Sequence, residues 1–304
     1  MSPTPYTLGI NTSFAVKRWP EPERWASLVE GLGVNLVQHT FDLADLDGPT
    51  EYIEAQAGSV RDACRSRGLR LHSTFTGLAA YSSNLLLHPD QLVRERAEDW
   101  YRRAIDFSAW AGAASTGGHL GAFSISDWQD QTRRESLTRD LERSLMRLTE
   151  HAKRQGLRSL LVENMAAARE PSTMEWMTTL IGPGDEDSVP VTLCLDVGHQ
   201  CVPGSEGAER DPYEWLRRLG SVAEVIHLQQ TDENADHHWA FTEETAALGR
   251  IRADDVMAAL IASGVREVAL VLEVVPAFEA DDDTVMRDIR TSIDYWRQAI
   301  ERYS

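Results

Sequence analysis

Cysteine is scarce in this chain, and the three present cannot build a framework: Cys64, Cys194 and Cys201 are scattered and form no CxxC pair. This argues against a disulfide scaffold and points to a reducing cytoplasm. Long apolar runs are missing too. No stretch approaches the roughly 18 residues a membrane span needs, and the N-terminal MSPTPYTLGIN has no basic segment ahead of an apolar one, so no signal peptide is expected. Positive charge is in short supply, with 30 lysines and arginines against 48 aspartates and glutamates and a formal charge of -18. That balance opposes an extended nucleic-acid surface, which needs basic side chains to neutralise phosphates, but leaves room for a local site for a small anion. The turn after the first apolar run, NTSFAVKRWPEP, lacks a GxGxxG phosphate loop. No nucleophile elbow or serine triad is present, and Ser82, Ser83 and Asn84 have no obvious paired base.

What the chain does have is repetition of strand and helix. Its 304 residues, 42% hydrophobic and 26% charged, are ordinary for a globular protein and are expected to form one domain, 1–304. Strand-like runs fall at 7–12, 34–40, 69–75, 114–119, 159–163, 191–196, 225–228 and 268–273. Helical spacing is expected over 20–31, 49–68, 89–113, 133–155, 171–181, 211–219, 253–263 and 281–302. Gly117 and Gly118 weaken the fourth strand. Eight strands alternating with helices, without a glycine-rich first turn, favour a (β/α)8 TIM barrel, whose active site lies at the C-terminal ends of its strands.

Four of those ends carry chemistry. LVENM, LCLDVGH, VIHLQQTD and LVLEVV place Glu163, Asp196, His227 and Glu273 on strands five to eight, which are neighbours around a closed barrel. Three carboxylates and an imidazole cannot be crowded together at low cost while every acid stays ionised. One divalent cation resolves the repulsion. An oxygen-rich set with a single nitrogen suits Mn²⁺, Mg²⁺ or Co²⁺, and Zn²⁺ is compatible. Rim salt bridges or a packed histidine are the alternatives for each residue alone.

His199, three residues past Asp196, can donate to a substrate oxygen or to an acidic ligand, with Gly198 allowing a tight turn. His72, His119 and, more weakly, His39 sit at other strand ends. His237 and His238, beside Trp239 and Phe241, form a loop that can cover a substrate or merely pack over the barrel mouth. Lys17, Arg18 and Trp19 follow the first strand, offering two cations for a phosphate and a ring for a sugar face, or else loop packing. Carboxylates around a metal suit proton abstraction beside a carbonyl: a second acid opposite gives epimerisation, and transfer to the neighbouring carbon gives aldose–ketose isomerisation.

The chain resembles the xylose isomerase-like TIM-barrel superfamily, which includes ketose 3-epimerases, sugar isomerases and apurinic endonucleases. NTSFAVKRWPEPERW, HSTFTGLAAYSSNLLLHPD, LCLDVGH, IHLQQTD and DHHWAF look most like the erythrulose-phosphate epimerases of that superfamily. The resemblance implies a metal-dependent carbohydrate epimerase inverting C3 of a ketose phosphate through a cis-enediolate. Glu163, Asp196, His227 and Glu273 would hold the metal, and Glu163 and Glu273 would be the acid–base pair. His199, His72, His119, Lys17, Arg18, Trp19 and His238 would be substrate contacts. It also implies a small sugar or sugar-phosphate partner and a homo-oligomer. The alternatives are an aldose–ketose isomerase, an unphosphorylated-ketose 3-epimerase, an endonuclease-like phosphodiesterase, to which His72, His119, Asp236 and His238 would supply further metal ligands, and a non-catalytic binding barrel. Gln229 and Gln230 stand where relatives often carry lysine or acidic residues, which bears on substrate choice.

Overall fold

A computed structural model describes residues 6–204 and 206–303. Its eight parallel strands are β1 (Tyr6–Asn11), β2 (Leu36–Thr40), β3 (Arg70–Phe75), β4 (Ser115–Gly118), β5 (Ser159–Glu163), β6 (Val191–Asp196), β7 (Ala223–Leu228) and β8 (Val268–Leu272). They close in sequence order into a barrel. The principal helices between them are α1 (Pro22–Gly31), α2 (Thr50–Ser66), α3 (Gln91–Ala111), α4 (Ile125–Gln129), α5 (Gln131–Gln155), α6 (Met174–Leu180), α7 (Pro212–Leu219), α8 (Glu243–Leu248), α9 (Ala253–Ser263) and α10 (Asp282–Tyr303). The expected (β/α)8 fold is the observed one. Among the described residues no helix is long and apolar enough to cross a membrane, and the three cysteines are buried and form no disulfide.

Contacts divide the chain into two compact units. One comprises Met1–Gln38, Cys64–Arg70 and Leu193–Ser304. Within it β1 runs beside β8 from Tyr6↔Val268 to Ile10↔Leu272, β7 beside β8, and β6 beside β7 with Asp196 opposite His227. Its helices bury Trp25, Trp215 and Trp296, the apolar faces that let amphipathic helices cover a parallel sheet.

The other unit comprises His39–Ala63 and Leu71–Thr192. Here β4 lies between β3 and β5, and hydroxyls bond across the strands: Thr74 with Thr116 at 2.7 Å and Ser115 with Ser159 at 2.7 Å. The glycines of β4 prove to be a requirement. A Cβ on Gly117 would lie 1.9 Å from the Leu161 carbonyl oxygen, so only a residue without a side chain lets the two strands approach.

Several ends differ from expectation. Asp90 and Asp211 accept backbone N–H groups as helix N-caps and so stand just outside α3 and α7. Thr173 caps α6 and delays it past Pro171. Glu273 lies one residue beyond β8, although its N–H still donates to the Leu228 carbonyl at 2.9 Å and carries the ladder one step further. The short helices α4 and α8 were not expected from the sequence.

Candidate functional site

Strand geometry decides which side chains enter the barrel. Alternate residues face opposite ways, so β6 buries Asp196, β7 buries His227, and the residue after β8 brings in Glu273. Glu163 ends β5, also buried. Glu163, Asp196, His227 and Glu273 each offer one ligand atom, and the four atoms lie within 4.8 Å of one another. Three acids this deeply buried need a compensating positive charge. The donor set, three carboxylates and an imidazole, fits a divalent cation such as Mn²⁺ or Mg²⁺.

The protein also supplies partners of its own. His227 Nδ1 approaches Glu273 Oε2 at 2.9 Å. Burial alone would raise the Glu273 pKa, but His227 and then His238 hold it below the usual carboxylate value. In the other unit, the Tyr81 hydroxyl donates to Glu163 Oε2 at 2.8 Å, and the Tyr81 ring stacks on His119 with centroids 5.1 Å apart.

A second polar cluster surrounds Asp196. Its Oδ1 accepts the N–H groups of Gly198 and His199 at 2.7 and 2.9 Å and the Gln229 amide at 3.1 Å. Gly198 has an ordinary φ of -86°; its small size matters because a Cβ there would sit 2.4 Å from Gln229 Cδ. Gln229 also donates to Asp236 Oδ1 at 2.6 Å and accepts the His238 N–H at 2.8 Å. Asp236 Oδ2 lies 3.2 Å from both His199 Nε2 and His238 Nε2. Burial alone would lower the His238 pKa, yet the Asp236 carboxylate, with Glu273 and Asp196 behind it, lifts it to about 9. Burial would likewise raise Asp236, but His199 and His238 hold it well below the ordinary carboxylate value. His238 adopts φ +49°, a conformation costing a non-glycine residue about 1–2 kcal/mol and typical of sites where geometry serves function. The loop is pinned by paired backbone bonds between Gln230 and Trp239, both 2.9 Å, and His237 stacks on Trp239 with centroids 3.8 Å apart.

The remaining sequence candidates have these contacts. Arg18 is 6% exposed at its side chain and ion-pairs with Asp282 at 2.5 Å; it also donates to the Ala277 and Phe278 carbonyls. Lys17 places its ammonium 4.2 Å from the Phe278 ring centroid. Trp19 is buried against Phe14. His72 meets the Ser73 hydroxyl at 3.1 Å. His39 stacks on Phe107, and burial drives its pKa down to about 4. Asn11, Gln38 and Tyr81 were not picked out from sequence. Gln38 had one available signal: it adjoins His39, and alternation along β2 sends one of that pair into the barrel and the other toward α3.

Comparison with known proteins places this geometry in context. The profile of the xylose isomerase-like TIM barrel matches residues 26–301. A D-erythrulose 1-phosphate 3-epimerase of Brucella abortus (strain 2308) is 28% identical over 311 residues, covering 97% of this chain and 96% of the relative. A solved Rhodospirillum rubrum structure with a provisional xylose isomerase description is 33% identical, with a TM-score of 0.89, covering 96% of this chain and 99% of that one. A D-psicose 3-epimerase of Clostridium cellulolyticum H10, solved with D-tagatose, shares the fold at 15% identity, with a TM-score of 0.70 and coverage of 97% and 99%.

Proposed function

The chain belongs to the xylose isomerase-like TIM-barrel family, and we propose that within it the protein works, as one barrel domain, as a divalent-metal-dependent ketose 3-epimerase. An erythrulose phosphate is the leading substrate, on the strength of the Brucella relative. The observation that carries the reading is the meeting of Glu163, Asp196, His227 and Glu273 ligand atoms at buried positions.

When bound, a Mn²⁺, Mg²⁺, Co²⁺ or Zn²⁺ ion would polarise the ketose oxygens and balance the charge of the enediolate. The protein's own groups do the rest. Glu163 takes the proton from C3, breaking the C–H bond and leaving its electron pair in the enediolate. Glu273 returns a proton to the opposite face of the same carbon; the reverse reaction exchanges their roles. The Tyr81 hydroxyl bond fixes one oxygen of Glu163 and so orients the other. His199 and His238, each in contact with Asp236, donate to sugar hydroxyls in this reading. With three buried cysteines outside any disulfide and a charge of -18, we propose a cytoplasmic enzyme of small sugars, working as a homo-oligomer, with no nucleic-acid partner.

The test is turnover in D₂O across tetruloses and pentuloses, with and without phosphate, before and after chelation. The expected result is deuterium at C3 of both epimers and loss of turnover on chelation. C3 inversion without solvent deuterium would refute the two-base route, and an aldose product would move the assignment to aldose–ketose isomerisation.

A further inference from the structure

Metal-binding histidines need one ring nitrogen bare and directed at the ion, and the hydrogen bond at the other nitrogen sets which one it is. For His227 the answer can be traced to the backbone. The Ser13 N–H, which can only donate, bonds Asn11 Oδ1 at 2.8 Å. Asn11 therefore turns its NH₂ the other way, and Nδ2 donates to Gln38 Oε1 at 2.7 Å. Gln38 must present oxygen there, and that same oxygen lies 2.6 Å from His227 Nε2. Two acceptors cannot share a hydrogen bond, so His227 Nε2 carries the proton. Nδ1 faces the Glu273 Oε2 carboxylate oxygen at 2.9 Å, so the proton it shares there is the one a cation would displace, and Nδ1 is the nitrogen that would bind. Asn11 Nδ2 also donates to Glu273 Oε1 at 3.2 Å, occupying one oxygen of that carboxylate and leaving Oε2 facing His227.

We propose that Asn11 and Gln38 are positioning residues that impose the Nε2–H tautomer on His227 and select Oε2 of Glu273 for the metal. All five groups in the relay, from Ser13 to Glu273, are buried, so water does not compete for these bonds and the polarity set at Ser13 passes intact to the ring. The inference rests on the metal-site reading above and adds which atoms bind and what fixes them.

The experiment measures Mn²⁺ binding to wild type, Gln38→Leu and Gln38→Glu by the electron paramagnetic resonance signal of free ion, without reference to turnover. It also records the imidazole ¹⁵N shifts of Mg²⁺-loaded wild type. Gln38→Leu removes the acceptor and should weaken Mn²⁺ binding by about 10–100-fold. Gln38→Glu keeps an acceptor and should bind within a few-fold of wild type. His227 should show its proton on Nε2. A folded Gln38→Leu protein that binds as wild type does, or a proton found on Nδ1, overturns the proposal while leaving the metal site standing. Absence of Mn²⁺ binding by wild type overturns the metal site and this inference with it. The tautomer is read on wild type, so a Gln38→Leu protein that fails to fold does not remove the test.

Discussion

The loops that follow β1 and β7 carry similar-looking chemistry in sequence and use it differently. After β1 come Lys17, Arg18 and Trp19; after β7 come Asp236, His237 and His238. In the first loop the polar groups are taken up by a neighbouring loop and helix start: Arg18 by Asp282 and two carbonyls, Lys17 by the Phe278 ring. In the second they reach inward. Asp236 ties His199 to His238, Gln229 connects that pair to Asp196, and His238 Nδ1 lies 3.5 Å from Glu273. Each cation of the β1 loop thus has a local partner that a bound anion would have to displace. His238, after β7, is instead tied through Gln229 to buried Asp196 and faces buried Glu273.

The largest effect is expected at the two buried glutamates. Glu163→Gln and Glu273→Gln each keep size and remove the base, and kcat should fall by about 10²–10⁴-fold. A variant turning over within a few-fold of wild type would remove that glutamate from the proton-transfer pair, whatever its effect on metal affinity.

The next effect belongs to the β7 loop itself. His238→Asn retains a residue tolerant of the left-handed backbone and deletes the imidazole between Asp236 and Glu273. Loss of such a partner should lower kcat/KM by about 10–100-fold while thermal stability stays near wild type. An unchanged kcat/KM would put this loop on the same footing as the one after β1.

How much of this was legible beforehand follows from the kind of signal each feature leaves. The barrel was legible because burying a parallel strand demands a continuous apolar run, and β5, β6 and α9 begin and end where those runs do. The three inward acids and the imidazole were legible because each interrupts such a run at its end. The short α4 and α8 span less than two helical turns and leave no periodicity to read. The glycines of β4 looked like strand breakers because the approach of Leu161 is a tertiary fact. Asn11, Gln38 and Tyr81 are single polar residues whose partners at the site lie 27 to 262 positions away, and local sequence does not reveal those pairings.

The β1 loop predicts smaller changes. Arg18→Met strands the Asp282 carboxylate and two carbonyls at a partly wet surface, so stability should drop by about 1–2 kcal/mol in urea denaturation. Because the guanidinium is engaged there, kcat/KM should stay within about twofold. A raised KM for a phosphorylated ketose with stability unchanged would reverse that assignment and restore Arg18 as a substrate contact.

The smallest effect is expected at Lys17, where opposing terms nearly cancel. Its φ of +62° costs a side-chain-bearing residue about 1–2 kcal/mol, so Lys17→Gly relieves strain. Against that stand a lost cation–π contact with Phe278, worth about 0.5–1 kcal/mol when exposed, and the greater freedom glycine gains in the unfolded chain, about 0.5–1 kcal/mol. The melting temperature should therefore barely move. The informative readout is KM measured on matched phosphorylated and unphosphorylated ketoses. If the ammonium serves only Phe278, both values stay at wild type. If KM rises for the phosphorylated sugar alone, the ammonium leaves the ring to meet the phosphate, and the loop after β1 contributes to substrate binding through the side chain held least tightly.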